Sequence, residues 1–146
     1  MIGERSIVET AASIAGREEA FRDWFAGLID AIGTFGIYQH TDRGFLSVRV
    51  NLVVQMKPVD EPALHAIKAR YGGCVYRLGE HATWQLGSVP DAEMVVRALE
   101  GRLRRPSRVE QFVPWARAVE ALAAGDKDTA IEAREELRKL REKPPR

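Results

Sequence analysis

Residues 44–57 restrict the fold more than any other stretch. Leu46, Val48, Val50, Leu52, Val54 and Met56 alternate with Ser47, Arg49, Asn51, Val53 and Gln55. A period of two puts one set in a core and the other in solvent or on a ligand. Such a strand needs partners beside it and a layer over its apolar side. Thr34–Thr41 reads as the first partner, joined through Asp42-Arg43 and a glycine in a hairpin-like turn. Cys74–Leu78 and Thr83–Gly87 read as a second hairpin around Gly79-Glu80-His81.

Helical segments supply the covering layer. Phe21, Trp24, Phe25, Leu28, Ile29 and Ile32 recur at helical spacing, predicting a helix over about Arg17–Ile32 that Gly33 ends. Pro58 opens a second helix, with Leu64, Ile67 and Tyr71 on its apolar side and Gly72-Gly73 stopping it. Pro90–Arg104 is a third, with Asp91 near its start and Arg102, Arg104 and Arg105 at its end, as the helix dipole favours. Pro106 breaks the chain, Glu110–Ala124 and Thr129–Glu142 are helical, and Val8–Ala15 reads as a short helix. Residues 143–146 contain two prolines and read as a frayed tail. The fold class is therefore α+β: a four-stranded antiparallel sheet with helices on one face, followed by extra C-terminal helices. The expected organisation is an N-terminal extension over 1–16, a main domain over 17–125, and a helix and tail over 126–146.

The open sheet face would carry Ser47, Arg49, Asn51 and Gln55, and such a face needs an occupant: water or a nucleic acid. The net charge of +1 decides neither way, because a basic face can coexist with an acidic back. Cys74 is the one cysteine, which excludes an internal disulfide and any cysteine-rich zinc site. His65 and His81 show no metal-site spacing. No apolar run is long enough to cross a bilayer, and residues 1–16 lack the pattern of a signal peptide. A cytoplasmic location without membrane association is expected.

Trp24 to Phe35 resembles the signature helix of the LAGLIDADG homing endonucleases, matching it from Ala26 to Ala31 and at Gly33. A strand follows at once, as in that family. Leu64–Gly73 resembles the family's second helix and the Gly-Gly turn into its third strand. Thr83–Leu86 resembles its fourth strand, and Arg108–Leu122, with Phe112 and Trp115, its late basic loop and helix. The resemblance covers roughly residues 21–122 and implies the αββαββα fold. With one signature in the chain it also implies a homodimer, packed through Ala26, Gly27, Asp30, Ala31 and Ile32, across a pseudo-palindromic double-stranded DNA site. Side chains in phase on the sheet would face the DNA: Thr34, Tyr38 and His40 in the first strand; Ser47, Arg49 and Asn51 in the second; Tyr76 in the third, or Arg77 if that edge strand twists. Arginine can take guanine, and asparagine or glutamine adenine.

The family consists of magnesium-dependent, often intron-encoded endonucleases, and its metal-binding carboxylate stands just before the last signature glycine. Here that position is Ile32, which has no ligand atom. Asp30 lies two residues earlier, about 200° round the helix, and is assigned a structural role rather than that of a substitute ligand. The remaining catalytic candidates implied by the resemblance are Gln55, near the scissile phosphate, and Arg105 and Arg108, as transition-state cations. No metal site is assigned. The expected function is sequence-specific duplex binding with cleavage lost or impaired. The alternatives are an intron-RNA splicing maturase, or an active endonuclease with an altered metal site or an intact partner.

Overall fold

The structure, a computed structural model, describes residues 11–142. The expectations for residues 8–10 and for the 143–146 tail lie outside the described residues. The described elements are α1 (Ala11–Ile32), β1 (Thr34–Asp42), β2 (Phe45–Met56), a 3-10 turn (Pro58–Asp60), α2 (Glu61–Tyr71), β3 (Cys74–Leu78), β4 (His81–Leu86), α3 (Val89–Leu99), α4 (Pro106–Ala123) and α5 (Lys127–Arg141). The fold is α+β, with one antiparallel sheet in the order β1-β2-β4-β3.

Both hairpins turn through two residues. Arg43 and Gly44 join β1 to β2, each with positive φ (52° and 83°), the backbone that a tight hairpin turn of this hand requires. Leu78 pairs with His81, so the second turn is Gly79-Glu80, and His81 belongs to β4. The apolar set of β2 faces the helices. Val48, Val50, Leu52 and Val54 are buried with Phe35 and Ile37 of β1 and Ala82, Trp84 and Leu86 of β4. Phe25 and Ile29 of α1, Leu64 and Ile67 of α2 and Trp115 of α4 close the layer over them. Burying a side chain of this size stabilises by roughly 1.5–3 kcal/mol, and these residues form one continuous core.

Two buried indoles also hold backbone in place. Trp84 Nε1 donates to the Gly72 carbonyl at 2.9 Å, next to a Gly73 whose φ is +87°. A Cβ at Gly73 would stand 2.6 Å from the Gln85 carbonyl oxygen, so this turn can lie against β4 only with glycine there. Trp115 Nε1 donates to the Asn51 carbonyl at 2.9 Å, beside the last β2–β4 pair, Leu52 with Leu86.

Several boundaries differ from the sequence reading. α1 is continuous from Ala11, through Gly16. Gly33 donates to Ile29 O at 2.9 Å but is not left-handed; a Cβ there would meet Ile29 at 2.7 Å, so close approach is what demands glycine. α3 ends at Leu99, with Gly101 turning the chain at φ +76°, so Arg102, Arg104 and Arg105 follow the helix rather than close it. Pro106 starts α4 instead of breaking the chain, because a proline at the first helical position loses no hydrogen bond.

Candidate nucleic-acid interface

The cross-strand register defines the face turned away from the helices. Thr34, Gly36, Tyr38 and His40 of β1 stand opposite Val53, Asn51, Arg49 and Ser47 of β2. Val53 and Gln55 stand opposite Gln85 and Thr83 of β4, which in turn oppose Cys74 and Tyr76 of β3. Thr34, Tyr38, His40, Arg49, Gln55 and Tyr76 are exposed, while Ser47 and Asn51 are half-buried. The candidates read from the sequence thus share one surface, except Arg77. That residue is one step out of phase, and its Nε donates to Glu61 of α2 at 2.9 Å. The edge strand keeps its alternation, so Arg77 lies on the helix side. Arg77, then His65, hold the Glu61 carboxyl below its ordinary value.

Gln85 belongs to this face although the sequence reading passed over it. Its Oε1 accepts a hydrogen bond from Tyr76 Oη at 2.7 Å. The signal was available, since Gln85 alternates with the core residues Trp84 and Leu86. Tyr38 lies back over Gly36, where a Cβ would come within 2.7 Å of its ring. Beyond the end of β4 the sheet steps down. A cavity of about 400 Å³ opens there, lined by Tyr38, Arg49, Asn51, Gln85 and Gly87. Asn51 Oδ1 faces no donor, so this carboxamide is uncommitted. The face carries one basic side chain, Arg49, and one acidic, Asp42 at the hairpin end.

One end of this face meets the C-terminus of α1. There the Asp30 side chain is buried, and both carboxylate oxygens are engaged. Oδ2 accepts from the Arg104 amide at 2.7 Å and Oδ1 from the Arg105 amide at 3.1 Å. The Asp30 carbonyl accepts from Arg105 Nη1 at 2.8 Å and Arg108 Nε at 3.1 Å. Two guanidinium groups on the last carbonyls of a helix complement its dipole. Burial, then the neighbouring Arg105, hold Arg108 below the ordinary arginine value, with Asp30 opposing and Arg141 adding to the depression. Gln55 extends β2 past Val53, which pairs with Thr34, so it too lies at this end.

The outward side of α1 carries Trp24, Gly27, Ala31 and Ile32, all exposed, with Leu28 half-exposed. Ala26 and Asp30 are not on it. They are one helical turn apart and both face into their own chain. Neighbouring residues differ by about 100° round a helix, which separates the 26/30 pair from the 27/31 pair. The small-residue surface is therefore narrower than the sequence suggested.

No protein-family model matches the sequence. Solved structures do match. I-CvuI, solved with a DNA target, superposes with a TM-score of 0.73 at 18% identity, covering 89% of this chain and 87% of that one. The archaeal intron-encoded homing endonuclease I-Vdi141I, solved with DNA, gives 0.73 at 17% identity, covering 88% and 89%. The fold is that of the LAGLIDADG homing endonucleases. Against I-GzeII, also solved with its DNA target, the TM-score is 0.67 at 17% identity, and this chain spans only 43% of that protein's length. Ile32, the last residue of α1, is exposed at the helix end (40%). The divalent metal implied by this fold family does not fit the residues present. Ile32 offers no ligand atom, and Asp30 has both oxygens occupied by backbone amides. Among the described residues no three acidic, histidine or cysteine side chains gather as a metal site. No helix among them is long and apolar enough to cross a membrane.

Proposed function

We propose that two copies of this chain pair through the outward stripe of α1 and lay their sheet faces along the major groove of a long, pseudo-palindromic duplex DNA site, with cleavage lost or impaired. One observation carries this reading. A polar sheet face, in continuous register across four strands, ends beside a helix whose exposed side is apolar. A two-fold axis along α1 would bury Trp24, Leu28 and Ile32 and set two sheets side by side. A two-stranded ribbon or a sheet can enter the major groove, where base edges are distinguishable. Each half-site would then be read by the same residues, and so be palindromic with its partner. The DNA-bound neighbours are consistent with this geometry.

The loss of cleavage rests on Ile32. In-line attack on a phosphodiester needs charge stabilisation on the attacking and leaving oxygens. Arg105 and Arg108 supply cations nearby, but their donors are held on the Asp30 carbonyl. Gln55 can orient a phosphate or a water and cannot replace a carboxylate. The test is selection from a randomised duplex library in the presence of Mg²⁺, with bound and cut molecules sequenced separately. A long pseudo-palindrome among uncut molecules is expected. Cut ends inside such a motif would overturn the loss of cleavage and point to a different ligand set or an intact partner.

A second reading has its own observation. Tyr38, Phe45 and Tyr76 are exposed on the sheet face (53%, 79% and 39%). Exposed aromatic rings on a sheet stack unpaired bases, as in recognition of single-stranded RNA. Intron RNA is then the ligand, as for a splicing maturase. Enrichment of structured RNA over duplex DNA at equal salt would favour it.

A further inference from the structure

A duplex binder must neutralise phosphates, and the sheet face has one cation of its own, Arg49. The missing charge stands at the rim. The last turns of α5 lie along the free edge of β1 and enclose a cleft of about 270 Å³, lined by Ile37, Tyr38, Arg134, Arg138, Arg141 and Glu142. Arg138 is committed to Glu135 and to Glu142 (2.9 Å), which cancels the acid in the cleft. Arg134 and Arg141 make no hydrogen bond or ion pair among the described residues. Arg141 is held below the ordinary arginine value by burial, with the Tyr38 phenol the one group that raises it. It also stands close enough to Arg108 to depress that group. Arg134 is half-buried and Arg141 exposed; two guanidinium groups not spent on a protein acid, lining one cleft with a phenol, form a setting for an anion.

Tyr38 decides which anion. It walls this cleft on one side and the Arg49–Asn51–Gln85 cavity on the other. A strand whose bases meet that cavity passes its sugar-phosphate over the β1 edge. We infer that the cleft between β1 and α5 is a phosphodiester-binding site, with Arg134 and Arg141 as the charge donors and Tyr38 Oη as a hydrogen-bond donor, gripping the backbone of the duplex whose bases the sheet reads. The inference rests on the duplex reading above. It makes α5 part of the binding surface.

The test compares wild type with Arg134→Gln/Arg141→Gln on the selected duplex, measuring affinity from 50 to 300 mM salt. Each phosphate contact contributes about 0.9 to the log–log salt slope. The double variant should lose about 1–2 from that slope and bind roughly tenfold more weakly, with its base preferences unchanged, as backbone contacts carry no sequence information. Arg141→Lys should keep most of the slope. An unchanged slope and affinity in a variant with wild-type thermal unfolding overturns the site. If wild type binds no duplex, the function proposed above fails, and the cleft is tested apart from it by titrating inorganic phosphate against the arginine side-chain NMR signals. Saturable shifts confined to Arg134 and Arg141 would then support an anion site, one for free phosphate rather than DNA. No shift would end the inference.

Discussion

Asp30 shows how far one side chain's meaning depends on its partners. In sequence it is the acidic residue nearest Ile32, and its chemistry would allow metal binding. Its geometry does not, because it caps the segment entering α4 through the amides of Arg104 and Arg105. Charged acceptors of buried amides are worth more than neutral ones. Asp30→Ala should cost about 2–4 kcal/mol in urea unfolding, and Asp30→Asn less, since one amide keeps an oxygen. A metal role would instead show as altered divalent-ion binding with stability unchanged. Asp126 makes a similar argument testable by pH. It caps α5, accepting from the Thr129 amide at 3.1 Å and from the Thr129 hydroxyl. The hydroxyl, then the amide, hold its carboxyl below the ordinary aspartate value. A depressed folded-state pKa stabilises above the unfolded value and is lost as pH falls through the folded one. Asp126→Ala should therefore melt below wild type at neutral pH. The gap should close beneath about pH 3, under the ordinary aspartate value.

At the scale of elements, α1 has two opposed tasks, one packing inward and one facing out. Gly27 separates them. A Cβ at Gly27 meets nothing within 4 Å in this chain, so Gly27→Ala should stabilise the monomer by roughly 0.5–1 kcal/mol through helix propensity. If α1 packs against its copy, the larger Gly27→Leu should weaken association at least tenfold while the protomer stays folded. Sedimentation equilibrium beside thermal unfolding separates the two, and equal association of both variants with wild type would remove α1 from the interface. Much of this architecture could be read in advance. The unbroken alternation of β2 settles which side chains face the helices, and the spacing of Phe25, Ile29, Leu64 and Ile67 places α1 and α2 over them. Other features depend on distant partners and so were hidden. No local pattern says that Asp30 would meet residues 104–105, or that Ala26 would turn inward while Gly27 turns out. Arg77 was ambiguous because only Glu61, sixteen positions away, shows which way it points. The α5 cleft was invisible for the same reason, since Tyr38 and Arg141 are brought together only by the packing of α5 on the β1 edge.

For the whole molecule, in the proposed dimer, the consequence of Ile32 lies between two copies rather than within one. At a two-fold axis every side chain meets its own image. Two Ile32 side chains, each 40% exposed in the single chain, would make a dry apolar contact and add to association. Two carboxylates in the same place would repel unless a divalent cation lay between them, as close like charges cannot both ionise freely. Ile32→Glu should therefore weaken the dimer in chelator, and Mg²⁺ or Ca²⁺ should restore it in proportion to ion concentration. Wild type should associate equally with or without either ion. Sedimentation velocity in EDTA, Ca²⁺ and Mg²⁺ reads this directly, without a DNA target. With the selected duplex added, the Glu variant should gain Mg²⁺-dependent nicking above the wild-type level, because it supplies the carboxylate that Gln55 cannot replace. Ion-independent association of both proteins would place Ile32 away from any axis, and the homodimer would have to be rebuilt around a different surface.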